Sequence, residues 1–190
     1  MPSNMGISPQ PVLLGFLMTA PHHGYELHQV FSRDLGRVWQ IGLSKLYAQL
    51  KQLEDAGLVI SETEPQPNRP PRKVYGLTPE GREAFLDWVY QPTPYVRHIR
   101  VEFLARLYFF QRLSLPRLDQ LVVQQKAVCT AQIKRFERLA DDTEVEFRQL
   151  VLEFRRGQLE AVIRWLDRCL EILSDKDQPS LTSKQGDSAG

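Results

Sequence analysis

Ser44, Lys45, Tyr47, Ala48 and Lys51 are the residues of this 190-residue chain whose types and spacing best fit a chemical task. They gather ammonium groups, hydroxyls and one small side chain along one side of a helical stretch. Nothing in the set makes or breaks bonds. Donors and point charges held on a helix are suited to phosphate oxygens and to the edges of bases. A second cationic group, Arg69, Arg72 and Lys73, follows in a Pro-rich segment.

The elements that must hold these residues can be read around them. Leu43, Leu46, Leu50 and Leu53 recur at intervals of three, four and three residues, so they line one face of an amphipathic helix and are expected to turn inward. Gly57 is placed to end that helix with a left-handed residue. Two strand-like runs follow, 58–63 and 73–77, with Arg69 and Arg72 at or near the tip of the loop between them. A helix with a polar outer face followed by a basic-tipped hairpin is the layout of a winged helix. Such a unit can lay its helix in the major groove of DNA while the hairpin reaches the adjoining backbone.

The rest of the N-terminal half supplies the frame. Val12, Leu13, Phe16 and Leu17 give a first helix over 8–19, and Tyr25, Leu27, Val30, Phe31 and Leu35 give a second that ends at Gly36. Trp39 and Ile41 read as an apolar plug forming a single strand against the wing. Thr78 followed by Pro79 marks the start of a fourth helix over 79–89, with Ala84, Phe85, Trp88 and Val89 on its buried side.

Three blocks, LLGFLMTAPHHGYEL (13–27), SKLYAQLKQLEDAGLV (44–59) and RPPRKVYGLTPEGREAF (69–85), occur in this order and together resemble the PadR family of bacterial transcriptional regulators. The resemblance spans about the first 90 residues. It implies a winged-helix DNA-binding domain, a helical C-terminal dimerisation domain, and repression relieved by a small molecule. By carry-over, Tyr25, Ser44, Lys45, Tyr47 and Lys51 face DNA, with Arg69, Arg72 and Lys73 on the wing. The wing tip EPQPNRPPR departs from the family pattern, since relatives often have a shorter, Gly-containing turn there.

The second half changes character. Residues 95–113 are apolar almost all round and predict one central helix, and 115–140 continue in helical register. Asp141, Asp142 and Thr143 are placed to cap a last helix running to Leu173, packed antiparallel on the one before. That helix carries two apolar stripes. One holds Leu152, Leu159, Val162, Ile163, Leu166, Leu170 and Leu173; the other holds Phe147, Leu150, Phe154, Ala161, Trp165 and Ile172. Two apolar sides need two partners, which predicts a homodimer through Leu159, Val162, Ile163, Leu166, Leu170 and Leu173. Tyr108, Phe110, Phe154 and Trp165 are candidates to line an effector pocket, with Arg106 or His98 to receive the carboxylate of a small aromatic acid.

Other chemistry finds little support. A net charge of +1, with eight Lys/Arg against nine Asp/Glu up to Tyr90, makes DNA binding a matter of local placement. Cys129 and Cys169 lie in helical patterns without metal or redox spacing, and His22, His23 and His28 fit no compact metal site, so no metal or cofactor is expected. Motifs for acyl transfer, metalloproteolysis and phosphate or dinucleotide binding are missing, so the chain reads as no enzyme. With no long apolar span and no signal-peptide layout at its start, it is expected to be cytoplasmic.

The expected fold is therefore mainly α with a small β-hairpin wing. A winged helix-turn-helix over 1–92 is followed by an antiparallel helical dimerisation and effector domain over 95–174 and a disordered tail over 175–190. The expected function is that of a sequence-specific homodimeric regulator, a repressor, on a palindromic operator in double-stranded DNA. The rival from another class is a winged-helix protein-interaction module that binds no DNA.

Overall fold

The computed structural model describes residues 6–66, 69–141 and 146–174. The expected caps Asp142 and Thr143 and the expected tail over 175–190 lie outside the described residues. The chain divides into two compact units, Met1–Val128 and Cys129–Gly190.

In the first unit the helix α1 (Gln10–Leu17) is the central element, with Val12 through Leu17 all buried. Gly15 is what lets its neighbours close in. A Cβ there would stand 2.5 Å from Cζ of Phe109 and 2.6 Å from Cε2 of Phe85. Around α1 pack α2 (Gly24–Leu35), through Leu27, Phe31 and Leu35, and α3 (Leu43–Asp55), through Leu46, Leu50 and Leu53. Leu43 differs from expectation. As the first residue of α3 it is 37% exposed, because the helix starts at the rim of the core.

Local chemistry ends α3 as its sequence dictates. Gly57 adopts φ +70°, the Leu58 amide donates to the Leu53 carbonyl at 2.9 Å, and the Gly57 amide donates to Glu54 O at 3.0 Å. These are the two crossed bonds of a Schellman termination. At the start of α4 (Pro79–Val89) the Thr78 hydroxyl accepts the Gly81 amide at 3.0 Å and donates to Gly57 O at 2.9 Å, tying one cap to the other.

The sheet has three antiparallel strands in the order β1 (His22–His23), β3 (Arg69–Leu77), β2 (Val59–Gln66). This corrects two readings. The third strand is the histidine pair, with His22 opposite Tyr75 and His23 opposite Val74. Trp39 and Ile41 instead plug the core between α2 and α3; the Trp39 ring meets Phe31 edge-on at 5.9 Å. The wing strands also run further than the sequence suggests, because the ladder continues through Glu64 opposite Arg72 and Gln66 opposite Arg69. Proline is tolerated where no amide is needed. Pro65 sits at the break in register between Glu64 and Gln66, and Pro71 lies beyond the reach of the two-residue β1.

The expected helix over 95–113 is continuous from Val96 to Arg112 but contains a π-helical turn. A short α5 (Val96–His98) passes into a π-helical turn, Ile99–Phe103, and then into α6 (Leu104–Arg112). This turn accompanies a buried polar cluster. The Arg106 guanidinium donates to the Trp88 carbonyl at 3.0 Å, the Thr93 hydroxyl at 2.8 Å and Glu102 at 3.3 Å, and lies 4.4 Å over the Trp88 ring. Gln125 of α7 (Leu118–Asp141) closes it by accepting the Thr93 amide at 2.6 Å and donating to Thr93 O at 3.0 Å. Phe109 of α6 meets Phe16 and Phe85 at 5.3 and 5.2 Å. Through these contacts the segment that follows the winged helix packs within the first unit.

The second unit holds the end of α7 and α8 (Glu146–Ser174), where the Arg155 guanidinium lies 5.9 Å from the Phe136 ring. The two stripes of α8 are sorted by burial. Leu159 and Leu166 are fully buried within the chain, and Val162, Ile163, Leu170 and Leu173 are half-buried. Phe147, Leu150, Phe154 and Ile172 are the exposed side, Phe147 at 72%. Cys129 and Cys169 are both buried, and burial pushes the Cys169 thiol up to about 11.

Candidate nucleic-acid interface

The three inward leucines of α3 set the orientation of the opposite side. With Leu46, Leu50 and Leu53 sealed, Ser44, Lys45, Tyr47, Ala48 and Lys51 all reach solvent. Lys45 and Lys51 form no ion pair among the described residues, so their ammonium groups remain available. Gln52 of the same helix is occupied, since its side-chain oxygen accepts Gln10 at 2.9 Å and Gln49 at 3.2 Å.

Tyr47 does two things at once. Its ring rests on the first residue of α2, where a Cβ on Gly24 would come within 2.5 Å of Tyr47 Cε1 and 3.1 Å of its hydroxyl. It is nonetheless 42% exposed. Glycine at 24 therefore lets Tyr47 lean across the start of α2 while it keeps part of its surface in solvent. Tyr25, one residue on, is exposed beside it.

Between α2, Tyr47 and the wing opens a cleft of about 470 Å³. It is lined by Tyr25, Tyr47, Arg72, Lys73 and Tyr75, and by the His23–Glu26 turn that starts α2. The His23 amide donates to the Glu26 carboxylate at 3.1 Å, fixing that turn, and the His23 imidazole stands 3.7 Å from Glu64. Arg72 is exposed. Lys73 is less free than its sequence position suggests, because its ammonium group pairs with Glu54 of α3 at 3.3 Å. The Ser61 hydroxyl also donates to Glu54, and with Lys73 it holds that carboxyl below the usual range. The side chain of Arg69 lies outside the described residues.

The structure thus brings Tyr25, Tyr47, Arg72 and Lys73 to one cleft and leaves Ser44, Lys45, Ala48 and Lys51 on the adjoining helix face. Sequence reasoning missed Tyr75, Gly24 and His23 as members of this region. The signal for Tyr75 was the period-two alternation of β3, which puts it on the same side of the strand as Lys73.

The proposed effector-pocket residues have other work. Tyr108 packs on Phe16 at 5.7 Å and donates to Asp34 at 2.5 Å, and burial with that bond raises its hydroxyl's pKa. Phe110 is buried against Tyr90 at 5.4 Å. Both are core residues of the first unit, while Phe154 lies exposed and Trp165 half-buried in the second. Arg106 and His98 are already engaged, the first as described and the second 3.5 Å from Glu102. Among the described residues, no helix is long and apolar enough to cross a membrane.

Residues 13–87 match the transcriptional regulator PadR-like family, and residues 99–174 match the family described as virulence activator alpha C-term. Over residues 13–87 the chain is therefore similar to the PadR-like family of transcriptional regulators. The negative transcriptional regulator PadR of Bacillus subtilis (strain 168) is 27% identical over 176 residues, which cover 87% of this chain and 96% of that relative. A crystal structure of B. subtilis PadR in complex with operator DNA is similar at a TM-score of 0.45 and 24% identity, over 86% of this chain and 98% of that one. Another, in complex with p-coumaric acid, gives a TM-score of 0.41 and 22% identity over 87% and 98%. The PadR-like match contains α2, α3, the wing and the cleft between them, and the second match contains α6, α7 and α8.

Proposed function

We propose that the protein is a homodimeric repressor of transcription that acts in the cytoplasm by binding a palindromic operator in double-stranded DNA. Its work is binding rather than catalysis. The observation that carries this reading is the α3 face. Its leucines are sealed beneath, and its uncompensated Lys45 and Lys51 stand beside Ser44 and Ala48 and continue into the cationic, phenol-lined cleft at the wing. Similarity to the negative transcriptional regulator PadR of B. subtilis over nearly that protein's whole length supports the sign of regulation.

Two copies of α3 would enter successive major grooves about 34 Å apart, or a multiple of that spacing. Lys45, Lys51, Arg69 and Arg72 would supply affinity and its salt dependence, while Ser44 and Ala48 would face base edges. Residues 1–92 would form the DNA-binding part, and 95–174 the part that dimerises and takes a small aromatic effector, as B. subtilis PadR takes p-coumaric acid.

The dimer seam belongs on the exposed side of α8. Phe147, Leu150, Phe154 and Ile172 need cover that a second copy would provide, with Val162, Ile163, Leu170 and Leu173 at the edges. Leu159 and Leu166 are already spent inside one chain.

Selection of bound duplexes from random DNA at several salt concentrations tests the whole reading. It should return a two-fold symmetric site whose affinity falls steeply with salt. Failure to enrich any duplex would leave a protein-interaction module as the better account.

A further inference from the structure

The cleft between α2 and the wing contains one group that the α3 face does not explain. Tyr75 is only 5% exposed, yet its hydroxyl makes no hydrogen bond among the described residues. No fully buried side-chain oxygen among them lacks a partner. The Tyr75 oxygen must therefore keep an opening to solvent, and the cleft that Tyr75 lines supplies one. A strand residue buried to its last atom, with that atom offered to a concave site, is a donor awaiting an acceptor.

The charges around it narrow the acceptor. Lys73 is neutralised by Glu54, and Glu26 is occupied by the His23 amide and set against the positive end of α2. Glu64 faces the His23 imidazole. Arg72, opposite Glu64 in the ladder, is the exposed cation of the cleft that forms no ion pair among the described residues. Arg72 and the phenols of Tyr25, Tyr47 and Tyr75 supply donors for an oxyanion, and with Glu26 and Glu64 close by a singly charged phosphodiester is the oxyanion repelled least. A terminal phosphate, with nearly two charges, would meet Glu26 and Glu64 with too little to offset them.

Resting on the DNA-binding function proposed above, we propose that this cleft seats one backbone phosphodiester per half-site. In it the Tyr75 hydroxyl donates to a non-bridging oxygen beside Tyr47 and Arg72. Gly24 keeps the seat open, because any side chain there would push Tyr47 across it. The cleft is then the clamp that fixes how far α3 turns within its groove, since phosphate contacts set register rather than sequence.

The test compares wild type, Tyr75→Phe and Arg72→Gln on a selected operator. Fluorescence anisotropy is followed across a salt series, and methylphosphonate is substituted at each phosphate in turn. Tyr75→Phe keeps the ring, so its thermal midpoint should match wild type. Its affinity should fall roughly tenfold per half-site, the usual worth of a hydrogen bond to a charged group. The slope of log affinity against log salt should stay unchanged, because a neutral donor releases no counterion. Arg72→Gln should instead flatten that slope by about 0.9 per half-site. One methylphosphonate position per half-site should weaken wild type more than its neighbours and be non-additive with Tyr75→Phe.

Unchanged affinity in Tyr75→Phe, or losses that simply add at every phosphate, would overturn the proposal while leaving DNA binding intact. Saturation of the cleft by inorganic phosphate alone, seen as shifts of the Tyr75 ring resonances, would assign it to a free anion and also overturn it. A wild-type protein that binds no duplex would instead overturn the functional reading beneath it.

Discussion

Arg106→Met removes a cation that three elements share, and its cost can be worked from the contacts. Arg106 is 3% exposed, so its partners cannot turn to water when it goes. The Trp88 carbonyl, the Thr93 hydroxyl and the Glu102 carboxylate lose donors at 3.0, 2.8 and 3.3 Å, and the contact with the Trp88 ring goes too. Burial lowers the guanidinium pKa and Glu102 offsets this only in part, so the cluster depends on its hydrogen bonds being complete. Removing one member of a buried ion pair costs about 3 to 5 kcal/mol, since it strands the other charge. Replacing both partners by groups without charge costs much less, so Arg106→Met with Glu102→Gln should recover a substantial part of the loss. Urea unfolding followed by tryptophan fluorescence, at one fixed protein concentration because dimerisation contributes, gives both numbers. A single variant within about 1 kcal/mol of wild type, the worth of an ordinary exposed pair, would refute the reasoning. So would a double variant less stable than the single.

Leu50→Ala should cost about 2 to 5 kcal/mol in the same unfolding assay, as a fully buried leucine beneath the reading face. Lys45→Ala with Lys51→Ala should leave the unfolding midpoint unchanged while lowering operator affinity and flattening its salt dependence by about 1.8 per half-site in filter binding. Phe154→Glu should turn the dimer into a folded monomer in sedimentation, because it puts a charge into the exposed stripe of α8. Asp34 is held below the usual carboxylate range chiefly by its bond to Arg33 and by the Tyr108 hydroxyl. A depressed folded pKa adds stability that is present above the unfolded pKa and lost as pH falls through the folded one. Asp34→Asn should therefore flatten stability against pH below about pH 4 in acid titrations followed by circular dichroism.

What could be read without coordinates was the chemistry that acts locally. The spacing of Leu46, Leu50 and Leu53 in α3, the glycine that ends it and the Thr78 cap each depend on residues close in sequence, and the structure has them as read, with Leu43 at the rim as the exception. Elements defined by distant partners were not legible. A strand of two histidines has no period to detect and exists only because Val74 and Tyr75 lie opposite. Trp39 and Ile41 looked like a strand because apolar residues at alternate positions serve a plug equally well. The cluster of Arg106, Thr93 and Gln125 beside the π-helical turn at 99–103 was hidden because these residues meet only in three dimensions. The two stripes of α8 were visible, but their similar hydrophobicity gave no means of telling which one the chain keeps for itself. The α3 face of the candidate interface was legible for the same local reason as its leucines, whereas Tyr75 was hidden because its value lies in an unmet hydroxyl.

The wing has one more property, concerning what it does not join. Among the described residues the outer margin of β3 has no neighbour in the sheet beyond His22 and His23, and an open margin of that kind invites another chain to extend it. The prolines at 70 and 71 lack the amide hydrogens that such an addition would need, and Glu62, Glu64 and Pro65 discourage it along β2. A hairpin edged in this way can stay long without becoming a seed for aggregates.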